Sequence, residues 1–254
     1  MTDQDLAFIS AWEQRELIAA GKVSPVELAE LYFDRIGRLD SQLNAYLTLN
    51  YDQAMEQAKN AETAVVRGDD LGPLHGLAVS IKDLEITKGL RTTSGSLAFK
   101  DKIPDEDSVV AGRVRGSGAT ILGKTNTSEF GGLGAGENRL GDHCRNPWNT
   151  NYTTGASSAG AGASMAASLC SLATGGDGGG SIRIPASFCG LFGIKPTQGL
   201  IGKYGGAGAT PLPNWVAQSG PMTRTVRDSA MMLQVLAGRD SKDITTLRNQ
   251  PGDY

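Results

Sequence analysis

Apolar residues recur at helical spacing in the first part of the chain and again near its end. Ser24 precedes Pro25 and Glu27, a helix start with an N-cap, a proline in the first turn and a capping box. The apolar positions that follow at helical spacing are Leu28, Leu31, Tyr32 and Ile36. We therefore predict a helix from Ser24 onward, with further helices over residues 51–66 and 223–237. The first 70 residues as a whole read as helical.

Short apolar runs in the middle of the chain indicate buried strands. Residues 77–82 and 119–122 are such runs, and a helical pattern over residues 107–115 lies between them. Alternating helices and strands predict an α/β fold with a mixed, largely parallel sheet covered by helices. The small residues of segment 161–173 predict a tightly packed helix. Segment 175–181 contains five glycines among seven residues, so we expect no regular structure there.

These patterns divide the chain into three parts. We predict an N-terminal helical segment over residues 1–70, an α/β core over residues 71–240 and a polar, mobile tail over residues 241–254. The core ends directly after its last helix, which indicates that it is incomplete at its C-terminal side.

The charge balance excludes some classes of protein. The 254 residues include 24 basic and 27 acidic side chains, which give a net charge of −3. A protein that binds nucleic acid or a membrane surface usually carries a basic patch, so neither partner is expected. The N-terminus lacks the pattern of a signal peptide, and no apolar stretch approaches the ~18 residues of a membrane span. We expect a cytoplasmic protein.

Cysteine and histidine are too few and too scattered for a metal or disulfide framework. Cys144, Cys170 and Cys189 are odd in number and widely spaced, so we expect reduced, buried thiols. The two histidines, His75 and His143, have no partner at the spacing of a metal site. No metal and no other cofactor is predicted.

The strongest chemical signal is a serine that follows three glycines. The run Asp177-Gly-Gly-Gly-Ser181 can turn several backbone N–H groups toward one point, and such a nest binds anions. In acyl transfer this anion is the oxygen of the tetrahedral intermediate, so Ser181 is a candidate nucleophile beside an oxyanion hole. Its base could be Lys82, which ends a buried strand where burial disfavours the charged ammonium. The alternative is a strand-end lysine whose ammonium reaches water.

The order of motifs along the core resembles the amidase signature family. The motifs that carry this resemblance are Val79-Ser-Ile-Lys-Asp83, Thr93-Ser-Gly-Ser96, Gly123-Lys-Thr-Asn126 with Glu129-Phe130, Asn146-Pro-Trp148, Gly155-Ala-Ser-Ser-Ala-Gly160, Asp177 to Thr197 and Ser219 to Asp228. Agreement extends over most of residues 20–240, which is far more specific than one short pattern. The resemblance implies an amidohydrolase that cleaves a small-molecule carboxamide without a cofactor.

The resemblance also implies a role for each matched residue. Ser181 is the nucleophile, Ser157 is a bridging serine that follows a cis peptide bond, and Lys82 is the terminal base. The backbone N–H groups of Gly178, Gly179, Gly180 and Ser181 form the oxyanion hole. Ser158, Asp177 and Arg183 support the site through hydrogen bonds, and Gly131 with its neighbours lines the substrate pocket.

The chain departs from the family pattern in two ways. Ala156 and Ala159 stand where the family usually has glycine, and their methyl groups restrict the turn at Ser157. Family members are also much longer. We therefore expect a fragment, a truncated product, or a chain that needs another copy or a complementing C-terminal chain. An inactive amidase-like chain that acts as a binding or assembly partner is the alternative function.

Other readings of the sequence are weaker. Gly118-Ala-Thr-Ile-Leu-Gly-Lys-Thr125 matches the Walker A pattern, but its middle residues read as a strand rather than a phosphate-binding loop. The neighbours His143 and Cys144 could form a cysteine hydrolase pair only in principle. Gly178 favours bacterial amidases that act on aryl, aliphatic or cyclic amides over transamidating enzymes, which tend to carry threonine at this position.

Overall fold

A mixed sheet of six strands, covered by helices, makes up the fold of this computed structural model, which describes residues 2–204, 216–246 and 251–254. The described helices are α1 (Asp3–Phe8), α2 (Ala11–Ala19), α3 (Pro25–Leu43), α4 (Tyr51–Arg67), α5 (Val109–Gly116), α6 (Ala159–Ala166), α7 (Arg183–Cys189) and α8 (Val226–Leu236). The described strands are β1 (Tyr46–Leu49), β2 (Ala78–Lys82), β3 (Thr120–Thr125), β4 (Arg145–Asn146), β5 (Asn149–Thr153), β6 (Leu172–Asp177), β7 (Phe192–Gly193) and β8 (Gln218–Thr223). Single 3₁₀ turns span Leu97–Phe99, Glu129–Gly131 and Ile244–Thr246.

The centre of the large sheet is parallel and its margins are antiparallel. Strand order is β1-β3-β2-β6-β8-β7, and β2 lies parallel between β3 and β6. The pairs β1–β3, β6–β8 and β7–β8 are antiparallel, and β4 and β5 form a separate ribbon. The predicted mixed, largely parallel sheet covered by helices is confirmed. Because β2 and β6 run in the same direction, their carboxyl ends meet at one edge of the sheet, where ligands usually bind in such folds.

The predicted helix starts and stops are present. Ser24 caps α3, where its side chain and that of Glu27 form the capping box and Pro25 occupies the first turn. Helix α4 ends at Gly68, which adopts the left-handed conformation with φ 73°. The helix predicted at 107–115 overlaps α5, and the strand predicted at 119–122 overlaps the start of β3, which begins at Thr120. Because β3 is a buried strand, segment 118–125 does not form a phosphate-binding loop.

One apolar core joins the N-terminal helices to the sheet. Ile18 of α2, Tyr32 of α3, Ile81 of β2 and Ile121 of β3 all belong to the same buried cluster. Tyr32 is completely buried, and its hydroxyl accepts a hydrogen bond from the Gln14 side chain at 2.7 Å, so its polar atom is satisfied inside the core. No described helix is long and apolar enough to span a bilayer.

Three predictions about the elements are wrong in part. The first 70 residues are not all helical, because β1 lies among them and pairs with β3. The predicted helix over 161–173 ends at Ala166 in α6. The glycine-rich segment begins inside a strand rather than outside regular structure, since β6 runs through Gly175 and Gly176. Residues 247–250 of the predicted tail lie outside the described residues.

Packing explains why these glycines lie in a strand. Strand β6 pairs with β2 through Leu172 and Ala173, whereas Gly175 and Gly176 pair with Gly220 and Ser219 of β8. A Cβ atom at Gly175 would lie 2.7 Å from the Ile182 side chain and 3.1 Å from Ser158 Oγ. Tertiary pairing therefore overrides the low strand propensity of glycine, and the missing side chain lets the neighbouring loops approach.

Candidate active site

Lys82 lies at the carboxyl end of β2, fully buried, with its ammonium group among three oxygen atoms. Its Nζ atom donates hydrogen bonds to Ser157 Oγ at 2.7 Å, Ser158 Oγ at 2.9 Å and the Gly176 carbonyl at 3.1 Å. Its backbone N–H donates to Thr174 Oγ1 at 2.9 Å. The side chain is thus fixed by β6 on one side and by the serine pair on the other.

The surroundings of Lys82 make it a good proton acceptor. Burial disfavours the charged form, and the nearby Lys203 adds a second repulsive positive charge. Glu85 and Asp177 oppose this effect because their carboxylates attract the ammonium. The balance lowers the pKa of Lys82 from 10.5 to about 7. A large fraction of Lys82 is therefore neutral near neutral pH.

The loop between β5 and α6 carries both serines that contact Lys82. The peptide bond between Ala156 and Ser157 is cis. Ala156 and Ala159 are fully buried on either side of the serine pair. The two methyl groups are thus accommodated within the packed loop. The backbone N–H of Ser158 donates to the Ser181 carbonyl at 3.1 Å and so connects this loop to the glycine run.

The glycine run folds around the carboxylate of Asp177. Asp177 Oδ1 accepts the N–H of Gly180 at 2.7 Å, and Oδ2 accepts the N–H of Ile182 at 3.2 Å. The Arg183 guanidinium adds two further hydrogen bonds, at 2.8 and 3.0 Å. Burial alone would raise the pKa of Asp177, but Arg183 and the backbone N–H groups lower it to about 2. Asp177 is thus an ionised anchor for the loop.

The predicted oxyanion donors differ in where they lie. Gly178 and Gly179 are exposed at the turn, and Ser181 is half-buried beside the serine pair. The N–H of Gly180 points to Asp177 instead of toward solvent. Its φ of 123° and the contact with Ile184, which a Cβ atom would approach to 2.8 Å, explain why glycine occupies this position.

Gly131 lies directly over Ser157. A Cβ atom at Gly131 would be 3.2 Å from Ser157 Oγ and 3.0 Å from the Leu84 side chain. The residue also has a positive φ of 74°. The preceding Phe130 is more than half exposed and packs edge-on against Phe99, with ring centroids 5.9 Å apart. An aromatic pair therefore adjoins Gly131, the residue that covers Ser157.

The cysteine and histidine residues lie outside this cluster. Cys144 is buried, and burial raises the pKa of its thiol far above the ordinary value, so it is not a ready thiolate. His143 is exposed and lies 3.8 Å from a Glu137 carboxylate oxygen. His75 forms a 2.9 Å hydrogen bond with the Ala61 carbonyl. Among the described residues, no group of side chains is arranged to hold a metal ion.

Sequence reasoning missed several residues around Lys82. Both Thr174 and Gly176 of β6 hold it: the Thr174 hydroxyl accepts its backbone N–H, and the Gly176 carbonyl accepts a hydrogen bond from its ammonium. Reading segment 172–177 as a strand would have placed β6 among the candidate neighbours of β2. Glu85 lies in the loop after β2 and Lys203 lies before β8, and both shift the pKa of Lys82. No local sequence signal indicates that either residue is near Lys82.

Comparison with known proteins identifies the relatives of this arrangement. The model of the Amidase family matches residues 27–254. An acylamidase from Rhodococcus erythropolis is 41% identical over 254 residues, which are 100% of this chain and 53% of the relative. One component of the glutamyl-tRNA(Gln) amidotransferase from Carboxydothermus hydrogenoformans is 40% identical over 250 residues, 98% of this chain and 51% of that protein.

A solved structure agrees with these sequence matches. A bacterial aryl acylamidase described as one of the amidase signature enzymes superposes with a TM-score of 0.89 at 35% identity, and the match covers 96% of this chain and 50% of that one. The chain spans about half the length of the curated relatives it matches.

Proposed function

This chain belongs to the amidase family, and from that premise we propose that it cleaves a carboxamide C–N bond through a serine acyl-enzyme. The observation that carries the proposal is the 2.7 Å contact between Lys82 Nζ and Ser157 Oγ, in a buried site that lowers the pKa of the lysine to about 7. A neutral lysine beside a serine can act as the base of a hydroxyl nucleophile.

The first half of the proposed reaction forms an ester with Ser181. Lys82 Nζ accepts the proton of Ser157 Oγ while Ser157 Oγ accepts the proton of Ser181 Oγ. Ser181 Oγ attacks the amide carbonyl carbon, and the carbonyl oxygen becomes an oxyanion. Collapse of this intermediate breaks the C–N bond, and the proton held by Lys82 returns through Ser157 to the departing amine. In the second half, water replaces Ser181 Oγ as the nucleophile and gives its proton through Ser157 to Lys82 as its oxygen attacks the ester carbonyl carbon. Collapse of this intermediate breaks the ester C–O bond, Ser181 Oγ regains the proton through Ser157, and the carboxylic acid is released.

The oxyanion is held by the backbone of the glycine run. The predicted donors are the N–H groups of Gly178, Gly179, Gly180 and Ser181. The Gly180 N–H is already bound to Asp177 at 2.7 Å, so we assign the main part to Gly179 and Ser181. A single donor of this kind typically contributes about 3–4 kcal/mol to transition-state stabilisation.

Three residues keep this arrangement in place in our proposal. Asp177 and Arg183 shape the glycine run, since the carboxylate accepts hydrogen bonds from both its backbone and the guanidinium. Ser158 contacts both Lys82 Nζ and the Ser181 carbonyl, and thus connects the base to the nucleophile loop. Gly131 leaves space beside Ser157 for the acyl group of the substrate.

The proposed substrate is an aryl, aliphatic or cyclic carboxamide. The support is the acylamidase relative at 41% identity and the glycine at position 178. Because the chain spans about half the length of its relatives, we include in the proposal another copy or a complementing chain that completes the substrate pocket. Light scattering of the purified chain, alone and mixed with the remaining half of a relative, measures this association.

A fluorophosphonate probe tests the proposed chemistry without knowledge of the substrate. We expect covalent labelling of the folded chain at Ser181, located by mass spectrometry, and its loss in Ser181→Ala and Lys82→Ala. Lys59→Ala is the matched control, since Lys59 is an exposed lysine on α4. If the folded chain, alone and with the complementing half, remains unlabelled, the proposal is wrong and the inactive binding chain is favoured.

A second candidate is a component of an amide-transferring enzyme, favoured by the 40% identity to the glutamyl-tRNA(Gln) amidotransferase relative. Release of ammonia from glutamine, compared with release of aniline from an acyl anilide, separates the two. We expect the anilide to be cleaved faster, and faster glutamine turnover would favour the amide-transfer function.

A further inference from the structure

A buried charged cluster lies on the β8 side of Lys82, and it consists of Glu85, Lys203 and Ser219. Ser219 Oγ donates a hydrogen bond to Glu85 Oε1 at 2.5 Å, and Lys203 Nζ donates to Ser219 Oγ at 3.0 Å. Lys203 Nζ also lies 3.7 Å from Glu85 Oε1. The Glu85 side chain is 11% exposed and that of Lys203 is 21% exposed, so the pair is only weakly screened by water.

The cluster is connected to Lys82 through two backbone groups. Ser219 pairs with Gly176 in the β6–β8 ladder, and the Gly176 carbonyl accepts a hydrogen bond from Lys82 Nζ. The N–H of Glu85 donates to the Lys82 carbonyl at 2.9 Å. Ser219, which accepts a hydrogen bond from Lys203, is therefore the direct cross-strand neighbour of Gly176, which accepts one from the Lys82 ammonium.

The charges around Lys82 act in opposite directions. Burial lowers its pKa most, and the positive charge of Lys203 lowers it further, whereas Glu85 and Asp177 raise it. Glu85 stays ionised although it is buried, because Lys203 and the Ser219 hydrogen bond lower its pKa. Lys124 of β3 also faces Glu85: its Nζ atom donates hydrogen bonds to the Glu85 carbonyl and to the Thr87 and Thr92 hydroxyls, and its charge helps to lower the pKa of Glu85. Arg183 of α7 pairs with Asp177.

We propose that Lys203 is a positioning residue for the base Lys82. Glu85 and Ser219 hold the Lys203 ammonium at a place where its positive charge disfavours protonation of Lys82. Lys82 is thereby kept ready to accept a proton near neutral pH. The inference rests on the proposed function, in which Lys82 is the base. It also gives a reason for an ion pair that makes no contact with Ser157 or Ser158, since Glu85 and Ser219 both hold the cation at this place.

The two charges of the cluster predict opposite effects when each is removed. Lys203→Met removes the repulsive cation and leaves the Glu85 carboxylate, so Lys82 should bind its proton more strongly. Glu85→Gln removes the attractive anion but keeps an oxygen that can accept from Ser219, so Lys82 should bind its proton more weakly. A role in packing alone predicts lower activity in both variants without opposite shifts.

The experiment measures the rate of fluorophosphonate labelling of Ser181 between pH 5 and pH 10. We expect a rise with a midpoint near 7 in the unmodified chain. Lys203→Met should move the midpoint to higher pH by about half a unit or more, and Glu85→Gln should move it to lower pH. Lys203→Arg, which retains the charge, and Lys59→Met, which removes a charge far from the site, should leave the midpoint in place.

A direct titration of Lys82 separates this inference from the proposed function. The ε-carbon of Lys82, labelled with ¹³C and assigned through its loss in Lys82→Met, reports protonation by NMR without any turnover. If this signal shifts as expected but Ser181 is never labelled, the proposed function fails and the inference about Lys203 stands. If labelling occurs and neither midpoint moves in Lys203→Met, the inference is overturned. Should Lys203→Met not fold, Lys203→Gln removes the same charge while keeping a polar side chain, and it should move both midpoints in the same direction.

Discussion

Ser158 Oγ lies 2.9 Å from Lys82 Nζ, almost as close as the Ser157 hydroxyl on the other side of the same ammonium. The two serines nevertheless differ in their second contacts. Ser158 Oγ also accepts the Gly176 N–H at 3.2 Å, and its backbone N–H binds the Ser181 carbonyl. Ser157 is buried beneath Gly131, and among the described residues the only side-chain hydrogen-bond partner of its hydroxyl is Lys82 Nζ. These contacts favour a structural role for Ser158 and a proton-transfer role for Ser157.

Replacing each serine separately tests this division. Ser157→Ala should reduce the rate of Ser181 labelling by about 10²–10⁴-fold, because proton transfer to Lys82 loses its bridge. Ser158→Ala should reduce it less and should lower the melting temperature more, since the Gly176 N–H loses its acceptor inside the site. Labelling rates and thermal unfolding of both variants measure the two effects. Equal loss of rate in both variants would contradict the division.

Asp177→Asn should destabilise the protein in a pH-dependent way. The pKa of Asp177 is lowered from 3.8 to about 2, so its ionised form stabilises the folded state above pH 3.8 and this contribution is lost as the pH falls through about 2. The side chain is fully buried, and the lowered pKa corresponds to about 2 kcal/mol at neutral pH. Urea unfolding should show a difference between the variant and the unmodified chain that is much larger at pH 7 than at pH 2.5.

The control for this prediction is a carboxylate that makes no contact with the glycine run. Asp34 pairs with Arg38 on the exposed face of α3, with both side chains more than half exposed. Asp34→Asn should change the free energy of unfolding by less than about 0.5 kcal/mol at either pH. If Asp177→Asn behaves like this control, the carboxylate is not the anchor of the loop.

Local patterns predicted the helices and the central strands because those elements carry their own signals. Ser24 with its capping box begins α3, and the apolar run that ends at Lys82 is β2. Strand β1 could not be predicted, because its four residues are stabilised by pairing with β3 from another part of the chain. The same holds for Gly175 and Gly176, which are part of a strand because they pair with Gly220 and Ser219 of β8.

Residues of the candidate site that belong to sequence motifs could be predicted. Residues that meet only in the folded chain could not. Lys82, Ser157 and Ser181 belong to motifs, and the structure brings the first two into contact. Lys203 and Glu85 are far apart in the sequence and meet at Ser219 of β8, whose hydroxyl is hydrogen-bonded to both. Asp177 accepts the Gly180 N–H only in the observed conformation of the loop. Three successive glycines allow many backbone conformations, so the sequence did not predict this contact.

Gly131→Ala should impair the reaction at Ser157. The added methyl group would lie 3.2 Å from Ser157 Oγ and 3.0 Å from Leu84, at a backbone position with φ 74°. We expect labelling of Ser181 to slow by about 10-fold or more, with a loss of stability of about 1 kcal/mol from the unfavourable backbone conformation. Gly134→Ala is the matched control, since nothing lies within 4 Å of its Cβ position. Equal labelling of both variants would show that Gly131 is not at the site.

Two glycines in helices should respond to alanine with opposite signs. Gly37 lies on the exposed side of α3, with nothing within 4 Å of its Cβ position, so Gly37→Ala should stabilise the protein by about 0.5–1 kcal/mol. Gly160 lies in the first turn of α6, where a Cβ atom would overlap both the Ala45 carbonyl oxygen and the Asn126 backbone nitrogen. Gly160→Ala should therefore destabilise the protein by more than about 2 kcal/mol, because backbone on two sides would have to move.

Urea unfolding of both variants measures these changes. Because α6 follows the serine pair, Gly160→Ala should also slow labelling of Ser181, whereas Gly37→Ala should leave the labelling rate unchanged. A Gly160→Ala variant as stable as the unmodified chain would contradict the close packing of α6 against the backbone before β1.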